Sequence, residues 1–347
     1  MLLLYRLNVW QIPLSIYPDK IMSTFRNLVF ILSVSISFIS YGQASNDDTG
    51  TIQKTSTYTP PGSVSGLQRT KNYTPKLKTE LSPTMKETSA LILFNGQLWT
   101  LNDSGNPPKI YLIDTVSGNV QRTVVVKNTV NIDWESLTQD EKYIYIGDCG
   151  NNFGNRTDLH ILKISKADLL DKNNDTVQAG YIRFSFSDQN DVMTKSLKTD
   201  FDCEAMMYHN DSLHLFSKDW VDLQTRHYIL PTDTGTYQAR FVERFDVDAL
   251  ITDASVNKEG NVVLSGYKKT LAGLYPCILW LLYDYKGSNY FSGSKRRIEL
   301  GTALELGQTE GIVLQDNNTG WLSAESILEG ILNRPAKLFR LDLRKFF

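Results

Sequence analysis

Cysteine is scarce in this chain. Only Cys149, Cys203 and Cys277 occur, and no two form a CxxC pair. At most one disulfide could form, and a chain of 347 residues needs none to build a core. The four histidines, His160, His209, His214 and His227, show no ligand spacing, so a zinc site has no support. Charge is nearly balanced, with a net value of -2 and no long basic run, which removes the electrostatic footprint of a nucleic-acid binder. GxSxG, HExxH and a Walker loop are all missing. The glycine-rich "GDCGNNFG" runs into the strand-like "LHILKI", so the helix N-terminus that a phosphate cradle requires is lacking. What remains is 41% hydrophobic, with 17 Tyr and 15 Phe among many Thr and Val, a balance that leans toward strand.

From Met22 the chain reads "MSTFRNLVFILSVSISFISYGQAS": Arg26, an apolar stretch from Leu28 to Ile39, then small residues. That is the pattern of a secretory leader cleaved near Gly42 or Ala44, and its apolar run is short for a membrane span. An uncleaved membrane anchor is the alternative. The expected organisation is a signal region over 1–43 with its true start at Met22, a flexible polar linker over 44–75, and a folded domain over 76–347. The product would be exported to the periplasm or exterior of a Gram-negative-type bacterium, with no membrane span after cleavage.

Five segments share one plan. They are "ETSALILFNGQLWTLND" from Glu87, "ESLTQDEKYIYIGD" from Glu135, "EAMMYHNDSLHLFSKD" from Glu204, "DASVNKEGNVVLSGY" from Asp253 and "EGIVLQDNNTGWLSAE" from Glu310. Each opens on an acid, passes through a hairpin turn rich in Asn, Asp or Gly, and closes on Asp103, Asp148, Asp219, Tyr267 or Glu325. A third strand follows each hairpin, and a fourth follows in four of the five. "PKLKTEL", Pro75 to Leu81, stands where it could complete the last. The expected fold is all-β: a β-propeller of four-stranded antiparallel blades, closed by an N-terminal strand. Five blades fit the repeats. Six is the alternative, because the 69-residue interval between Glu135 and Glu204 could hide a degenerate strand pair.

In a propeller both ends of each such hairpin reach one mouth of the central channel. Glu87, Asp103, Asp133, Glu135, Asp148, Asp202, Glu204, Asp219, Asp253, Glu310 and Glu325 would then crowd together. Crowded carboxylates either hold protons or collect cations, and hard oxygen donors suit Ca²⁺, or Mg²⁺ with retained waters. Asn102, Asn151 and Asn152 could add ligand oxygens. Trp134 and Trp220 could stack on a ligand or simply pack, while Trp99 and Trp321 read as core. Arg156 and Arg226 could pair with the acids or hold an anionic substrate. Equally, an acid opening an inner strand can accept backbone N–H bonds and lock one blade to the next.

At these residues ("LNDSGNPPKIYLID", "NIDWESLTQDEKYIYIGDCGNNFGNRTDLHILKI", "FDCEAM" and "TEGI") the chain resembles a group of exported bacterial β-propeller proteins of mostly unassigned function. More distantly it is similar to calcium-containing propellers: phytase and esterase-like phytase, and the gluconolactonase and strictosidine-synthase-like groups. The resemblance implies a metal at the channel mouth. The leading expectation is an exported monomer that binds a small molecule or protein ligand at an acidic, calcium-holding mouth. One competitor is a metal-dependent hydrolase of esters, lactones or phosphoesters, with Glu135 or Glu204 as general base. The other is a protein-interaction scaffold.

Overall fold

A computed structural model describes residues 67–70, 72–190, 195–269, 276–329 and 332–347. The expected leader and most of the expected linker lie outside these residues. The chain opens on β1 (Leu67–Thr70) and β2 (Lys76–Glu80). Four antiparallel runs of four strands follow in order. The first holds β3 (Thr88–Phe94), β4 (Gln97–Asn102), β5 (Lys109–Ile113) and β6 (Val120–Lys127). The second holds β7 (Trp134–Gln139), β8 (Tyr143–Asp148), β9 (His160–Ser165) and β10 (Thr176–Phe186). The third holds β11 (Cys203–His209), β12 (Ser212–Ser217), β13 (Thr225–Leu230) and β14 (Gly235–Phe245). The fourth holds β15 (Leu250–Val256), β16 (Val262–Tyr267), β17 (Pro276–Tyr283) and β18 (Ser294–Thr302). In the last unit β19 (Thr309–Leu314) and β20 (Thr319–Ala324) lead through a small hairpin, β21 (Ile327–Glu329) and β22 (Leu332–Arg334), to β23 (Lys337–Asp342). Its fourth strand is β2, which pairs antiparallel with β23. The architecture is all-β and propeller-like.

The burial pattern explains the layering. β19 is buried at every position and β3 at all but Leu93, so the first strand of a unit reads as a nearly continuous apolar run. The fourth strands alternate instead: β10 puts Val177, Ala179, Ile182, Phe184 and Phe186 inward and leaves Gln178, Arg183 and Ser185 exposed. Length matters too. With eleven residues, β10 reaches beyond its own unit, pairing parallel with β6 through Thr176–Gln178 and with β14 through Ile182–Phe186. That covers an edge which would otherwise offer free backbone groups to another chain.

Part of the segment expected to be linker is strand. Leu67–Thr70 runs parallel to β18, Tyr73 N–H donates to Glu299 O at 3.0 Å, and the Tyr73 ring meets Phe346 edge-on. Polar composition suggested a free tether, but strand pairing uses backbone groups, which composition does not report. All three thiols are buried and unbridged. Among the described residues, no helix is long and apolar enough to cross a membrane.

Asp253 shows what locks units together. Fully buried, it accepts from Ala254 N–H at 2.8 Å and from Ile312 N–H of the next unit at 2.7 Å. Truncation would leave a buried amide unpaired. Asp253→Ala is therefore expected to cost ~1–3 kcal/mol in denaturant unfolding. A loss below ~0.5 kcal/mol, the range of an inert surface change, would remove the locking role.

Candidate functional site

Every inner hairpin breaks register at the same place. The pairing slips between Thr88 and Ala90, between Trp134 and Ser136, between Cys203 and Ala205, between Ile251 and Asp253, and between Thr309 and Ile312. A bulge re-aims the residue inside it. Those residues are Ser89, Glu135, Glu204 and Thr252, with Glu310 and Gly311 in the last unit. A backbone bond then aligns the flanks: Asp103 N–H to Glu87 O, Gly150 N–H to Asp133 O, Lys218 N–H to Asp202 O and Glu325 N–H to Gln308 O.

This geometry corrects the alignment read from the sequence. Glu87 and Asp253 do not match Glu135, Glu204 and Glu310; Ser89 and Thr252 do. Glu87 instead belongs with Asp133 and Asp202, just before the bulge. Asp148 and Asp219 are also displaced. The positions closing the second strand are Asp103, Gly150, Lys218 and Glu325, with Tyr267 ending β16 in the fourth unit. An offset of one residue turns a side chain to the other face of a strand, so acid-to-acid spacing alone could not resolve the register.

Lys218 is the residue that sequence reasoning missed. It is 4% exposed, and its Nζ lies 2.5 Å from Glu204 Oε2. It sits 5.2 Å from the ring centroids of both Trp220 and Tyr267. Burial pulls its pKa down, but the charges of Glu204, Tyr267, Glu310 and Asp202 outweigh that and hold the ammonium well above its ordinary range. Part of the expected cation is thus supplied by the chain itself. The signal was present in "SKDW", one residue before the acid taken as the closing position. The pairing also occupies Glu204, which removes it as a free general base.

Several other expected site residues are structural. Asp148, fully buried, accepts from Ile132 and Asp133 N–H and lies 2.8 Å from Arg156 Nη2. Asp219 lies 2.6 Å from Arg226 Nη1, and Asp200 lies 3.0 Å from Nη2. The two arginines therefore serve the acids rather than a substrate. Asp202 accepts from Asn151 N–H at 2.6 Å and Trp220 Nε1–H at 2.7 Å. Asn151 also donates to Phe201 O, and Asn102 donates to Thr84 O. Asn152 is half-buried and its carbonyl accepts from Leu197 N–H. Trp134 is fully buried in the core between the first two units, so stacking on a ligand is ruled out for it. Trp99 is core as expected, and Trp321 is half-buried beneath Arg340. Glu87 is 40% exposed and accepts from Asn106 Nδ2 at 2.6 Å.

That leaves Asp103, Asp133 and Glu135. One oxygen from each lies within 4.8 Å of the others. Two oxygens on opposite sides of a Ca²⁺ at ~2.4 Å would stand ~4.8 Å apart, so the spacing and the all-carboxylate donor set fit such an ion. Neither the Asp133 nor the Glu135 carboxylate receives a hydrogen bond among the described residues. Burial, then Asp103 and Asp202, pushes Asp133 up to about 8. Burial, then Asp103, Glu204 and Asp133, holds Glu135 well above its usual range. Beside them, burial raises Glu310 to about 7, and burial together with Glu310 and Asp103 raises Glu325.

Gly150 makes room for this triad. A Cβ there would stand 2.4 Å from Asp133 Oδ2 and 2.8 Å from Glu135 Oε1. Gly150→Ala is expected to weaken divalent-cation affinity at least ~10-fold, the scale of a ~1.4 kcal/mol loss, while leaving the far-UV circular dichroism unchanged. Undiminished affinity in that variant would show that the ion sits elsewhere.

No family model matches the chain, and no curated protein does. Solved structures align with the chain only at low similarity. An α-L-arabinofuranosidase from Podospora anserina in complex with cellotriose aligns at 11% identity and a TM-score of 0.41, over 80% of this chain and 96% of that one. A glucose dehydrogenase aligns at 7% identity and a TM-score of 0.44, over 76% and 98%. A GH43 β-1,3-galactosidase with galactodeoxynojirimycin aligns at 13% identity and a TM-score of 0.40, over 69% and 77%. At these similarities no residue role passes from them to this chain.

Proposed function

We propose that this protein is an exported, five-bladed propeller that binds a polar small molecule through a divalent cation, Ca²⁺ by its donor chemistry, at Asp103, Asp133 and Glu135. The five-bladed, closed reading is supported by the inner strands. β3 touches β7, β7 touches β11, β11 touches β15, β15 touches β19, and β19 touches β3 again. Export rests on the leader-like stretch from Met22, which lies outside the described residues. The observation that carries the binding role is the convergence of three carboxylates from two units, while the nearby ammonium is engaged by Glu204.

Calorimetric titration of chelator-treated protein with Ca²⁺ tests this. Saturable 1:1 binding is expected, weakened at least ~10-fold in Asp133→Asn. Absence of heat with Ca²⁺ and Mg²⁺ alike, together with an unmoved melting temperature, would defeat it.

One observation favours a catalytic variant of the same site. Burial and neighbouring carboxylates raise both Asp133 and Glu135, and a carboxyl raised in this way is what general acid–base chemistry uses. A bound cation would lower the pKa of a water there. Under that reading, turnover in a panel of esters, lactones and phosphoesters would vanish in Glu135→Gln, and persistence in the variant would exclude it.

A further inference from the structure

A row of polar groups crosses the third unit, and none of them belongs to the acidic mouth. His209 ends β11, His214 lies on β12, His227 on β13 and Glu243 on β14, directly opposite His227 in the strand register. The side chains of His214 and His227 are fully buried. His214 Nε2 lies 3.0 Å from His209 O, His214 Nδ1 lies 2.9 Å from His227 Nε2, and His227 Nδ1 lies 3.5 Å from Glu243 Oε1.

A proton count decides what the row can do. A carbonyl oxygen only accepts, so His214 must carry its proton on Nε2. In a neutral ring that leaves Nδ1 bare, and His227 must donate to it from Nε2. His227 Nδ1 is then a bare acceptor, buried with no hydrogen-bond partner among the described residues. It faces Glu243, which when ionised is an acceptor too. Three gaps need three protons, and two neutral imidazoles bring two. Two acceptors left face to face are costly in a low-dielectric interior.

The groups packed around the row do not fill the gap. Lys295 on β18 donates to Phe291 O and Gly293 O. The Tyr290 hydroxyl is hydrogen-bonded to His209 Nδ1 at 2.9 Å, and the Tyr285 hydroxyl donates to Gly260 O. Phe291 N–H donates to Glu243 Oε1 at 3.2 Å but does not reach the ring. Phe216, Tyr290 and Phe291 pack their rings against His227 and keep water from it. Arg240 on β14 disfavours charge on either imidazole. Burial holds both rings down at about 3 and pushes the Glu243 carboxyl up to about 7, so the third proton rests on the carboxyl and not on a ring.

We propose that His214, His227 and Glu243 form one proton-binding site, a pH-sensitive latch across β12, β13 and β14 in which the Glu243 carboxyl donates to His227 Nδ1, His227 Nε2–H to His214 Nδ1, and His214 Nε2–H to His209 O. One proton exchanges with solvent. Its binding closes the third gap and leaves the row uncharged; its loss sets a carboxylate against a bare ring nitrogen. Glu243 has a side chain 17% exposed, which gives that proton a way out. The titration belongs to the row rather than to Glu243 alone. An unfolded Glu loses its proton at roughly 4.3, so the latch contributes fully below that pH. Its contribution is lost as pH climbs through about 7.

Nitrogen-15 NMR of the full chain labelled at histidine tests this, in chelator, over a series from about pH 5.5 to about pH 8.5. Both rings are expected as the Nε2–H tautomer, with the His227 Nδ1 signal shifting in one step near about 7 as its donor leaves. Glu243→Gln puts a permanent amide donor in the same place and should abolish the step, while Asp133→Asn should leave it unchanged. The tautomer and the titration of the parent chain need no variant. A His227 ring protonated on Nδ1, a His227 signal that stays still across the series, or the same step in Glu243→Gln would overturn the assignment.

Discussion

Lys218→Met is expected to lower the free energy of unfolding by ~3–5 kcal/mol, the usual cost of removing one partner of a buried ion pair. The effect is large because Lys218 answers more than one acid. Glu204 lies 2.5 Å away, and Asp202, Glu310 and Tyr267 share its charge. The methionine fills nearly the same volume, so what it removes is the charge. Combining it with Glu204→Gln should recover much of the loss, since the uncompensated carboxylate goes too. Equilibrium denaturation of the single and double variants measures this. A loss below ~1 kcal/mol, the scale of an exposed pair, would mean that Lys218 is not the internal counter-ion.

The second large effect concerns pH. Cation-free protein is expected to become less stable as pH rises from about 4.5 to about 8, against the common trend. Asp133 keeps its proton up to about 8 in the folded state and Glu310 up to about 7, because burial and neighbouring carboxylates disfavour their charge. In the unfolded chain both lose it near 4. The folded state therefore binds more protons across that window, and its stability is fully present below the unfolded values and falls as pH climbs through the folded ones. Three histidines oppose this, His209 among them, whose pKa burial also lowers. Burial lowers His214 and His227 to about 3, so they favour the folded state above the unfolded value near 6.5 and withdraw that support as pH falls toward 3. The raised carboxyls outnumber them once Glu135 and Glu325 are added. A melting temperature roughly 5 °C lower at pH 8.5 than at 5.5 in chelator is the expected size. Added Ca²⁺ should flatten the profile, since an ion takes over from the protons. A profile that rises with pH in chelator, or one that Ca²⁺ leaves unchanged, would contradict the description of the mouth.

Much of the architecture could be read from the repeats. The hairpins from Glu87, Glu135, Glu204, Asp253 and Glu310 are strand pairs, and "PKLKTEL" does supply the strand beside β23. Which acids share a face was not legible. That depends on a bulge, and a bulge adds one residue without a compositional mark. It is why Ser89 and Thr252, rather than Glu87 and Asp253, stand with Glu135. Lys218 was hidden for a related reason: a search tuned to acids passes over a cation between them. That Arg156 and Arg226 could pair with acids was legible, but which acids they take, Asp148 and Asp219, depends on loops whose closure is a tertiary event. The small-residue requirement at Gly150 became visible only once Asp133 and Glu135 were placed against it.

The most direct test is a crystal of the protein soaked in Mn²⁺, whose anomalous scattering locates the ion that takes the place of Ca²⁺. A peak bounded by Asp103, Asp133 and Glu135, lost in Asp133→Asn crystals, is the predicted result. A peak instead at Asp200, Asp219 and Asp222, whose oxygens also lie within 4.8 Å of one another, or no peak at either acidic cluster, would contradict the account.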